Sequence, residues 1–110
     1  MSNDSETVAG LSRAARADLL ASARRRTLLE LLAASTGNVH SLEALATAVT
    51  QAERGPDLGA RSTRRVCLLL HHVHLPKLDA ADIVAYDAER NVVEYIAGDA
   101  VEQLLDADER

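Results

Sequence analysis

The chain contains no phenylalanine and no tryptophan, and Tyr86 and Tyr95 are its only aromatic residues. Any core it forms must therefore be aliphatic. A single cysteine, Cys67, excludes an internal disulfide and suits a reducing compartment. Lysine is nearly absent: of 12 basic residues, only Lys77 is a lysine. No apolar run approaches the roughly 20 residues needed to span a bilayer. The opening MSNDSETVAG lacks the basic start and apolar stretch of a signal peptide. The expected location is the cytoplasm, with no membrane partner. Enzyme signatures are missing too: no glycine-rich phosphate loop, no Ser or Cys nucleophile motif, and no carboxylate pair placed by spacing. The chain reads as a non-enzyme without a cofactor.

What is present fits one small folded domain. A length of 110 residues suits a single modest core, and 47% hydrophobic content argues against disorder throughout. Seventeen acids against twelve bases leave a net charge of −5. A nucleic-acid binder is normally basic, so the local distribution of charge has to decide whether this is one.

The apolar pattern divides the chain into a polar tail over residues 1–9, a domain over 10–97 and a C-terminal helix over 98–110. Helices are expected near 12–22, 24–35, 41–52 and 60–80, with a hairpin near 83–96. Leu11, Ala15 and Leu19 mark the first helix, with Ser12 as its cap. Leu28, Leu31 and Leu32 stripe the second, and Gly37 is the candidate left-handed residue after it. Val39 and His40 suit a short strand. Ser41 caps a third helix whose buried stripe is Leu42, Leu45, Ala46 and Val49. Gly98 and Asp99 open the last helix, which carries Val101, Leu104 and Leu105.

The organising stretch is Arg61 to Asp87. It opens basic, turns apolar, and meets Pro76, which removes one helical hydrogen bond and predicts a kink or a change of turn. Cys67, His71, His74 and Leu78 keep helical spacing and are expected on the core face, with Leu70 and Leu75 flanking. Arg65, Leu69, His72 and Val73 are expected to face away. Ile83, Val84 and Tyr86 favour a strand, Asp87 to Asn91 a turn, and Val92, Val93, Tyr95 and Ile96 the return strand. A long helix feeding a two-stranded hairpin is how a winged helix-turn-helix domain ends. The expected fold is mainly α with a small β-hairpin wing.

Two resemblances rest on these residues. His74-Leu75-Pro76-Lys77-Leu78-Asp79-Ala80-Ala81-Asp82-Ile83-Val84 resembles the "HL, two residues, L, two residues, AGLV" passage of the ArsR-like winged-helix repressors, with Asp82 where that pattern has Gly. Arg24-Arg25-Arg26, followed by HVHLPKLDAADIVAYD, resembles an uncharacterised winged-helix family abundant in haloarchaea, over roughly residues 11 to 96. The resemblance implies double-stranded DNA binding and transcriptional regulation. An acidic, nearly lysine-free composition is what a haloarchaeal protein would show.

On that reading the Arg61 helix enters the major groove. Arg65 is the base-reading candidate, His72 reaches a phosphate or base edge, and Leu69 a thymine methyl. Arg61, Arg64, Arg24 and Arg25 are phosphate candidates, and Arg90 sits at the wing tip beside repelling Asp87 and Glu89. Three arginines opening a helix oppose its dipole, so either phosphate or salt bridges to acids must justify them. Exposed Leu69 and Val73 favour an alternative, a protein-interaction module on the same scaffold without DNA binding. Cys67, His71 and His74 have a zinc-compatible spacing. They share the expected core face, however, and are one ligand short unless His40 or a partner supplies it. We therefore expect a buried, hydrogen-bonded His74 and assign no metal. A homodimer is expected through Leu11, Leu19, Val101, Leu104 and Leu105, because the end helices carry more apolar surface than so small a core should need.

Overall fold

A computed structural model describes residues 12–54 and 60–108. The expected tail (1–9), Leu11 and the loop 55–59 lie outside the described residues. The elements run α1 (Arg13–Leu20), α2 (Ala23–Ala34), β1 (Val39–Ser41), α3 (Leu42–Arg54), α4 (Ala60–Leu69), a π turn (Leu70–His74), α5 (Leu75–Ala80), β2 (Val84–Asp87), β3 (Val92–Tyr95) and α6 (Gly98–Asp108). The strands form one antiparallel sheet in the order β1-β3-β2. Helices followed by a hairpin that takes up an earlier short strand give a winged-helix-like fold.

Local chemistry sets the helix ends. The hydroxyls of Ser12, Ser22 and Ser41 accept the backbone N–H groups of Ala15, Arg25 and Ala44 at 3.1, 3.2 and 3.0 Å, capping α1, α2 and α3. The expected left-handed stop at Gly37 is not formed. Instead α2 ends in an extended Ser35 (φ −74°, ψ 147°), whose hydroxyl accepts the Gly37 N–H. The left-handed conformation occurs at Asp82 (φ 62°) and Asn91 (φ 56°). Asp82 closes α5 in a Schellman motif: its N–H bonds the Asp79 carbonyl and the Ile83 N–H bonds the Leu78 carbonyl, both at 3.0 Å. Buried Leu78 and Ile83 are the apolar pair that accompanies this motif.

The core is aliphatic, as the composition requires. Leu28, Leu29 and Leu32 of α2, and Leu42, Leu45, Ala46 and Val49 of α3, are buried against the strands and the long helical stretch. That stretch departs from the expected geometry. The Leu75 N–H bonds the Leu70 carbonyl, five residues back rather than four. Pro76 explains why, since its ring would collide with the carbonyl four residues earlier in an α-helix and it has no N–H to donate. The wider turn also changes which face is buried. A four-residue step along an α-helix drifts by about 40°, so three would carry Leu78 about 120° from Val66. The π turn takes up this drift, and Val66, Leu70, His74 and Leu78 all point inward. Cys67 and His71, expected in the core, are half-buried at its edge instead.

Candidate functional site

With Val66 and Leu70 fixed inward, the opposite face of α4 is turned to solvent. Arg61, Arg64, Arg65, Leu68 and Leu69 line an open depression of about 480 Å³ on it. His72 and Val73 continue the exposed face through the π turn. Leu68 is 54% exposed, Leu69 36% and Val73 45%, so three large aliphatic side chains are exposed along α4 and the π turn. Exposure of Arg65, Leu69, His72 and Val73 agrees with the sequence expectation, whereas Leu68 was missed. The five-residue apolar run Val66 to Leu70 offers no periodic contrast from which its direction can be read. Between Asp57 and Asp79 the sequence has no acid. Among the described residues, Arg61, Arg64 and Arg65 make no ion pair. α4 packs on α3, giving the helix pair that a helix-turn-helix requires.

The arginines of α2 have other partners. Arg25, expected as a phosphate contact, is buried at 5% exposure. Its Nε and Nη2 donate to the carbonyls of Leu19 and Asp18 at 2.8 and 2.6 Å, capping the C-terminal end of α1. Its Nη1 lies 3.3 Å from Nδ1 of His74. A guanidinium so enclosed does not reach surface phosphate. Arg24 is held by Glu53 of α3 through two bonds, Nε to Oε2 at 2.7 Å and Nη2 to Oε1 at 2.9 Å. This contact holds the Glu53 carboxyl below its ordinary range and raises the guanidinium's. The arginine cluster at the start of α2 is thus explained within the chain for these two residues. The acid involved is on α3, not at the C-terminus.

The histidines and the cysteine disperse. His74 is buried, as expected, and faces Arg25. His71 Nδ1 lies 2.6 Å from the Tyr86 hydroxyl, tying the π turn to the wing. Burial, then the nearby Glu43 carboxylate, pushes the Cys67 thiol up, which keeps it protonated. Among the described residues no three His, Cys, Asp or Glu side chains converge as metal ligands would. His40 Nε2 is buried without a partner among them. In the wing, Asp87 Oδ1 accepts the N–H groups of Glu89 and Arg90 at 3.1 and 3.2 Å, forming the turn. Arg90 is exposed at its tip, 3.9 Å from Asp87.

The residues expected in a two-fold interface are used within the chain. Leu19 (3% exposed), Val101 (0%) and Leu104 (6%) belong to the core, and Leu105 packs at its edge. α6 lies on α2 and covers it. Leu19, Val101 and Leu104 are therefore covered within one copy.

No helix among the described residues is long and apolar enough to cross a membrane. No curated protein and no solved structure matches the chain significantly. A family model does match, over residues 17–94, which run from within α1 into β3 and leave out α6. On that match the chain belongs to the DUF7344 family, a domain of unknown function.

Proposed function

We propose that the chain binds double-stranded DNA through α4 and acts in the cytoplasm as a transcriptional regulator. The observation that carries this reading is the set of three exposed arginines, Arg61, Arg64 and Arg65. They project from one acid-free helix and have no ion-pair partner among the described residues. In a chain of net charge −5, such a local cluster suits an anionic partner. Arg61 and Arg64 take phosphates, Arg65 and His72 reach base edges, Leu69 meets a thymine methyl, and Arg90 approaches the backbone from the wing. Because the overall charge repels DNA, affinity depends on this face and falls steeply with salt.

The test is fluorescence anisotropy of the full chain with random duplex DNA over a range of salt concentrations. Arg64→Gln should weaken binding to all sequences and flatten the salt slope by about one unit. Arg65→Ala should cost about 1–3 kcal/mol and blur the preference at one position of a selected site. Failure of the wild-type chain to bind in low salt defeats the proposal. The second reading, a protein-interaction module without DNA binding, is favoured by exposed Leu68, Leu69 and Val73, which offer bases no hydrogen bonds.

A further inference from the structure

The basic and the apolar halves of the α4 face adjoin. Arg64 lies one helical turn before Leu68, and Arg65 one turn before Leu68 and Leu69, along the same depression. Phosphate satisfies only the arginines. A contiguous group of exposed aliphatics gains nothing from a phosphodiester backbone and marks a protein contact. A partner that satisfies both halves must carry carboxylates next to apolar side chains at helical spacing.

We infer that the α4 face docks an acidic amphipathic helix of another protein, with its apolar stripe on Leu68, Leu69 and Val73 and its flanking carboxylates on Arg61, Arg64 and Arg65. The inference deepens the reading of α4 as the functional face, because such a helix occupies the surface assigned to DNA and excludes it. Binding of the two is mutually exclusive, and the acidic helix acts as a release signal. A second copy of this chain does not fit. A two-fold contact sets the same patch against itself, bringing six arginines together with no acid between Asp57 and Asp79 to separate them. An anionic membrane fits poorly as well. A flat surface would meet the wider acidic surface along with the patch, and no Trp or Phe is present to anchor at the lipid interface.

The experiment uses the full chain and a fluorescein-labelled helical peptide of about 15 residues, four turns, with leucines at i, i+3, i+4 and i+7 flanked by glutamates. Scrambled-order and Glu→Gln peptides serve as controls. The labelled peptide should bind, with the scrambled peptide at least about tenfold weaker. Leu68→Ser and Leu69→Ser should each weaken it by about tenfold; both variants should still unfold cooperatively, and the more exposed Leu68→Ser should stay close to the wild-type melting curve. Arg64→Gln should reduce both affinity and salt dependence, and duplex DNA should displace the peptide. Equal binding of the scrambled peptide would reveal a plain polyanion effect and overturn the inference. Peptide binding that is absent, or indifferent to Leu68→Ser and Leu69→Ser, would also overturn it. So would self-association or phosphatidylglycerol-vesicle binding that Leu69→Ser abolishes, since another occupant would then own the face. DNA binding without peptide binding sinks this inference alone. Peptide binding without DNA binding sustains the docking face and sinks the DNA reading.

Discussion

Nη1 of Arg25 lies 3.3 Å from Nδ1 of His74, both residues being buried. A guanidinium can only donate, so Nδ1 must be the accepting nitrogen and the imidazole must be neutral. Burial, then the charges of Arg25 and Arg24, depress His74 below its ordinary value of 6.5, with Glu53 opposing them. The folded protein therefore binds this proton less readily than the unfolded chain. The stabilisation is complete above pH 6.5 and is lost as pH falls through the depressed value. Denaturation midpoints measured from pH 8 to pH 5 should fall below 6.5 in the wild type. His74→Gln keeps an acceptor but does not titrate, and should lose this slope. His74→Ala should lower stability by about 1–3 kcal/mol at neutral pH.

Arg25→Met keeps much of the volume and removes three bonds at once. It leaves the Leu19 carbonyl without this donor and the Asp18 carbonyl with the Ala21 N–H at 3.3 Å. A loss of about 2–4 kcal/mol in chemical denaturation is expected. The DNA salt slope of the surviving folded fraction should not change. A slope reduced as in Arg64→Gln would show that Arg25 reaches phosphate after all.

Since α6 covers α2, Leu104→Ala should destabilise the fold by about 2–4 kcal/mol without altering the sedimentation coefficient. Truncation after Gly98 should expose core and broaden the unfolding transition. A truncated chain that unfolds like the full one, but changes from dimer to monomer, would restore the interface originally expected there.

Asp82 at φ 62° is exposed, so its backbone can be tested apart from packing. Asp82→Val should cost about 1–2 kcal/mol, because a branched side chain resists the left-handed region. Asp82→Gly should hold or raise the melting temperature. Equal stability of the Asp and Val forms would contradict the Schellman closure of α5.

The parts legible in the sequence were those where one pattern dominates. Leu42, Leu45, Ala46 and Val49 stand among polar neighbours, and all four are buried as their spacing requires. The wing was equally plain, with β-branched and aromatic residues on both sides of the polar run Asp87 to Asn91. Arg24 and Arg25 were not legible, because adjacent identical residues take different roles. The partners of Arg25 are mostly backbone carbonyls, which carry no sequence signature. The core face around Cys67 and His71 was misjudged for a geometric reason: a uniform α periodicity cannot anticipate a turn closed five residues back. The exposed arginines and Leu69 were found because they precede that turn. Leu68 was lost in an unbroken apolar run.

The π turn has a consequence for how this surface can vary. It holds one residue more than a regular helix would use, so it works as an offset between two segments of a shaft. Deleting one residue within Leu70–His74 would return the stretch to uniform pitch. Val66 would then stand 11 residues before the anchor at Leu78, about 20° past three full turns, so Arg61 to Leu69 would keep nearly the same bearing. Straightening the turn at unchanged residue count would instead swing the arginines and leucines by about 120°, with their order and spacing intact. In this chain the bearing of the exposed face is set by residue count and turn width together, and a change in one without the other would redirect it without altering its composition.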